Sequence, residues 1–157
     1  MSTHRLHQRI FLAVVTIGFP LVGTACIGPG WTDKDLGTVA ELKIEIPKSA
    51  TNIVGHTGKG VDFLMPNDQW RDYVAKYYPG TTFTRFPANK ETDGSVPLMC
   101  IPAFRSGVKL VKLVTGDDIQ YRKTKDKVHR TVIVTPDCEP GKAYLQWRLS
   151  DAEQDPS

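Results

Sequence analysis

Apolar and polar positions alternate along several short stretches of this chain, and one stretch repeats at helical spacing. Val39–Ile46 (VAELKIEI) sets Ala40, Leu42, Ile44 and Ile46 on one face and Glu41, Lys43 and Glu45 on the other. That alternation predicts a half-buried strand ended by Pro47. Thr51–His56 and Val61–Met65 are short apolar runs around Thr57-Gly58-Lys59-Gly60, which predicts a hairpin. Trp70, Tyr73, Val74 and Tyr77 then come at i, i+3, i+4 and i+7. This apolar stripe predicts one amphipathic helix over about 67–78, capped by Asn67 and stopped by Pro79-Gly80. An aromatic stripe of this kind packs on a sheet far more often than it lines a ligand groove.

Downstream the pattern is β. Short strands are predicted at Thr82–Phe86, Val108–Val114, Ile119–Arg122, Val128–Thr135 and Ala143–Leu149, and Val96–Ile101, in an otherwise irregular stretch, carries Cys100. Thr115-Gly116-Asp117-Asp118 and Pro136–Gly141 read as turns between them. In Ala143–Leu149, Ala143, Leu145, Trp147 and Leu149 point inward together. About seven to nine short strands with one helix make an α+β domain built on a mainly antiparallel sheet. Residues 39–150 form this single domain, and 151–157 is a polar tail.

The chain opens differently. Arg5 and Arg9 precede Ile10–Val22, which carries no charge, and the small residues Gly23, Thr24 and Ala25 come next. A positive segment, a short apolar segment and a small-residue zone make the layout of a secretory signal over 1–25. The arginines stay on the cytoplasmic side, so the remainder of the chain is carried across. Leu21-Val22-Gly23-Thr24-Ala25-Cys26 resembles the lipobox of bacterial lipoproteins, with Gly23 where Leu or Val is usual. The resemblance covers the first 26 residues only. It implies that Cys26 becomes the lipidated N-terminus, carrying fatty acyl chains of the palmitate class, on the outer face of the cell membrane. Two or more chains anchor stably where one does not. Two other fates fit the same residues: ordinary cleavage after Ala25, and an uncleaved span over Ile10–Ile27. Each places the domain outside the cytoplasm.

Residues 26–38 (CIGPGWTDKDLGT) are rich in Gly, Pro and polar side chains and read as a tether reaching on the order of 20 Å. Trp31 within it suits either the lipid interface or the domain surface. Without the first 25 residues, 132 of 157 remain, enough for one domain with a core. The chain has 20 basic and 17 acidic residues, and losing Arg5 and Arg9 leaves an excess of one positive charge. Global charge therefore gives no argument for nucleic-acid binding. Cys100 and Cys138 remain once Cys26 is modified, and an even pair in an exported chain predicts a disulfide. Free buried thiols are the alternative. Closing that loop is worth about 4 kcal/mol in the chain-entropy model.

Catalytic signatures are not found. His56 and His129 stand without a motif, and no nucleophile elbow, zinc-protease helix, phosphate loop or dinucleotide fingerprint occurs. No cofactor or metal site is expected, since two lone cysteines lack a neighbouring histidine to complete a tetrahedral set. The basic run Arg122, Lys123, Lys125 and Lys127 reads first as a soluble hairpin tip that discourages edge pairing. Its functional reading is contact with anionic lipid headgroups or cell-wall polymers, at about 1 kcal/mol per lysine. The pattern thus describes a membrane-anchored binding or accessory module of the cell envelope, not an enzyme. An envelope hydrolase using His56 or His129 with Asp117 or Asp118, and a subunit of a larger envelope complex, are the alternatives.

Overall fold

The computed structural model describes residues 33–91, 94–121 and 125–151. The signal segment, Cys26, Trp31, Arg122, Lys123 and nearly all of the tail lie outside them. Six strands form one antiparallel sheet in the order β1-β2-β6-β5-β4-β3. They are β1 Thr51–His56, β2 Gly60–Pro66, β3 Thr84–Ala88, β4 Leu110–Gln120, β5 Lys127–Glu139 and β6 Lys142–Asp151. Three short helices, α1 Asp33–Leu42, α2 Trp70–Ala75 and α3 Ile101–Arg105, complete it, with a 3₁₀ turn at Leu98–Cys100 leading into α3. The β1–β2 hairpin lies where the Thr57–Gly60 turn predicts.

Three expectations are corrected. Val39–Leu42 is not a strand but the end of α1. Thr38 and Leu42, four apart, share the buried face of this helix, while Ala40, which the alternation places inward with Leu42, is exposed. Lys43 then takes a left-handed φ of 53°. The Lys43 N–H donates to the Ala40 carbonyl, and the Ile44 N–H donates to the Val39 carbonyl. This Schellman cap turns Ile44 back into the core. Second, the expectation of one helix over about 67–78 gives way to three among the described residues. α2 itself is shorter, begins after Gln69, and has no side-chain cap. Third, Thr115–Asp118 is not a turn: β4 runs through it, so two predicted strands are one.

One sheet face carries Val61, Phe63, Met65, Val132, Val134, Leu145 and Trp147. α1 and α2 cover it with Leu42, Trp70, Tyr73 and Val74, and Tyr78 stacks on Trp147 at a ring-centroid distance of 5.9 Å. Among the described residues, the other face is covered at one end, where the 3₁₀ turn and α3 pack on Leu64, Ala88, Leu110 and Tyr144. Cys100 and Cys138 form a disulfide within this second cluster. The fold therefore has two ends. The α1 end holds the β1–β2 and β4–β5 connections, and the disulfide end holds the β5–β6 turn.

Candidate functional site

Away from that end, the second face carries several polar side chains, and it gathers both described histidines. The alternation of β2 and β6 aims Asp62 and Arg148 away from α1 and α2, and β1 brings His56 beside them. Asp62 is only 4% exposed. One of its oxygens accepts from His56 Nε2 at 3.0 Å, Tyr144 Oη at 2.9 Å and Arg148 Nη2 at 3.0 Å. The other oxygen accepts a short bond from Arg148 Nη1. Burial alone would raise the carboxyl, but the donors from Arg148, His56 and Tyr144 outweigh it and hold Asp62 below its ordinary range. Burial, with the Asp62 charge beside it, pushes the Tyr144 phenol well up, so it stays a neutral donor.

On the same face, His129 Nδ1 meets Asp118 Oδ1 at 2.8 Å. Gly116 lies beneath the ring: a Cβ there would meet His129 Nε2 at 2.7 Å. Asp117, one residue away, points to the opposite face. It receives Arg130 Nε and Nη2, both at 2.9 Å, while Arg130 Nη1 donates to the Leu42 carbonyl at 3.0 Å. The predicted candidates are thus divided. His129 joins Asp118, His56 joins Asp62 instead, and Asp117 serves the packing of α1. The residue pattern alone misses Asp62, whose signal is a lone acid inside the apolar run Val61–Met65.

Both histidine rings are partly exposed, but Asp62 beneath His56 is buried whereas Asp118 is exposed. Neither of two clefts in the molecule is lined by a histidine. Among the described residues no three His, Cys, Asp or Glu side chains converge on a metal position. None of the described helices is long and apolar enough to cross a membrane.

The α1 end is the second candidate region. The Gly58 N–H in the β1–β2 turn donates to Thr38 Oγ1 at 2.8 Å, and Tyr121 Oη donates to Glu41 at 3.3 Å. These contacts lay α1 across this end of the sheet. Asp33 begins α1 five residues before Thr38, roughly 8 Å along the helix axis. Lys59, Lys125 and Lys127 are exposed at the same end. A cleft of about 480 Å³ opens there, lined by Lys59, Lys127, Tyr121, Ser150 and Asp126 among others. Helix α1 also occupies 33–38, within the stretch expected to be a tether.

No protein-family model matches this chain, no curated protein matches it in sequence, and no solved structure matches it in fold.

Proposed function

We propose that this protein is an envelope binding or accessory module, held on the outer face of the cell membrane through a lipidated Cys26, with its α1 end toward the bilayer. The observation that carries the reading is a coincidence of place. The segment leading from Cys26 enters the domain through α1, and α1 lies at the end that carries Lys59, Lys125 and Lys127. Arg122 and Lys123 belong to the same β4–β5 connection in sequence. A cluster of this kind within tether reach of a bilayer meets anionic headgroups, each lysine adding about 1 kcal/mol near a charged surface. Anionic cell-wall polymers offer the same chemistry.

The two histidines pair with separate aspartates, and neither lines either of the two clefts described above, which supports a binding module over a hydrolase, whose acid and base converge in a cleft on a reacting atom.

Hydrogen exchange on the full-length protein in vesicles rich in anionic lipid, beside vesicles of neutral lipid, tests the orientation. Added protection at Gly58–Gly60 and Lys125–Lys127 is expected in the anionic vesicles. Protection at the β5–β6 turn instead, or none at either end, contradicts it. Protection that appears only when a soluble anionic wall polymer is added assigns the basic end to the wall.

A further inference from the structure

At the disulfide end, α3 and the β5–β6 turn part to leave a cleft of about 520 Å³, a volume typical of small-molecule sites. Its walls are apolar where Pro102, Ala103, Val108 and Pro140 meet it, and the acidic residues Asp137 and Glu139 also line it. The parts are fixed in place. The Cys100–Cys138 disulfide ties the segment before α3 to β5. Asp137 interrupts the β5–β6 register with a left-handed φ of 56°. Asn67 holds it from both sides: Asn67 Nδ2 donates to Asp137 Oδ1 at 2.6 Å, and the Asp137 N–H donates to Asn67 Oδ1 at 3.2 Å. A cleft built from fixed parts costs little ordering when a ligand enters.

Among the residues that line the cleft, Asp137 and Glu139 are the charged ones, and both are acidic. Glu139 pairs with Lys142 at 3.5 Å, whereas the amide that holds Asp137 is neutral. We infer that this cleft binds a small amphiphilic cation, with its alkyl or aryl body against Ala103, Val108 and Pro140 and its ammonium beside Asp137. The site lies at the end of the sheet away from α1 and does not rest on the membrane reading.

Methyl NMR of the full-length protein in neutral-lipid nanodiscs tests it, with phenylbutylamine as the probe and phenylbutyrate as the control of opposite charge. The amine is expected to give saturable shifts at the Ala103 and Val108 methyls. Asp137→Asn retains an oxygen for Asn67 and tolerates the left-handed backbone, and it should weaken amine binding about threefold, the scale of one rim ion pair. Ala103→Leu should fill the cleft and abolish the shifts. Equal binding of phenylbutyrate overturns the inference, as does binding unchanged in Asp137→Asn, or the absence of saturable shifts in the unsubstituted protein.

Discussion

Arg130 in β5 donates through Nη1 to the carbonyl oxygen of Leu42, the last residue of α1, at 3.0 Å. The same guanidinium grips Asp117 with two bonds and lies over the ring of Tyr78, 5.0 Å from its centroid. Burial would lower its pKa, but Asp117 and Tyr78 more than offset this, so the group stays charged. One side chain thus satisfies an orphan carbonyl at a helix end and ties α1 to the sheet. Arg130→Ala should destabilise the fold by about 3 kcal/mol, the scale of breaking a buried ion pair. Denaturant melts measure the loss. Amide exchange should show α1 losing protection ahead of β5 and β6.

Asp62 predicts the acid response. Its folded-state pKa lies below the ordinary value of 3.8. The stability it contributes is therefore complete above that value, and is lost as pH falls through the lower folded value, because the unfolded chain takes up the proton first. Asp62→Asn should remove most of this acid-side slope and cost about 3 kcal/mol at neutral pH. That is the low end for a broken buried pair, since Arg148 is partly exposed. Melts across the acid range, wild type beside variant, give both numbers.

Gly60 opens β2 opposite Arg148 of β6. A Cβ there would come within 2.0 Å of the Trp147 carbonyl oxygen, a backbone atom that cannot swing aside. Gly60→Ala should cost about 2 kcal/mol or more through forced displacement of the ladder. Gly58→Ala, which meets no neighbouring atom, is strained only by its φ of 68° and should cost less. Thermal melts of the two variants rank them.

The Cys100–Cys138 bond closes a loop across 38 positions. Replacing both cysteines with serine should lower stability by about 4 kcal/mol in the chain-entropy model. Because Cys138 also lines the cleft beside α3, the same variant should loosen α3, read as faster amide exchange at Ala103–Arg105.

Much of this architecture is legible in the residues. The stripe from Trp70 to Tyr77 marks α2, the alternation of Ala143 to Leu149 marks β6 and its buried face, and the two downstream cysteines find each other. What local pattern does not carry is context. Val39–Leu42 alternates like a strand, and only the left-handed Lys43 and the docking of Leu42 onto Arg130 make it a helix end. Thr115-Gly116-Asp117-Asp118 has turn composition, yet pairing with β5 on one side keeps it extended, and each aspartate has a partner to meet. The Asp62 cluster assembles from three strands, two of them far apart in sequence, so only the lone acid between Val61 and Phe63 hints at it.

Cys26 is the residue on which the proposed anchor depends. Intact mass and detergent partitioning of the native protein, beside a Cys26→Ala variant, test that anchor most directly. A mature chain beginning at Cys26 with added acyl mass, partitioning into detergent and losing both properties in the variant, is the predicted result. A soluble chain beginning at Cys26 without lipid, or an uncleaved chain, contradicts the anchor.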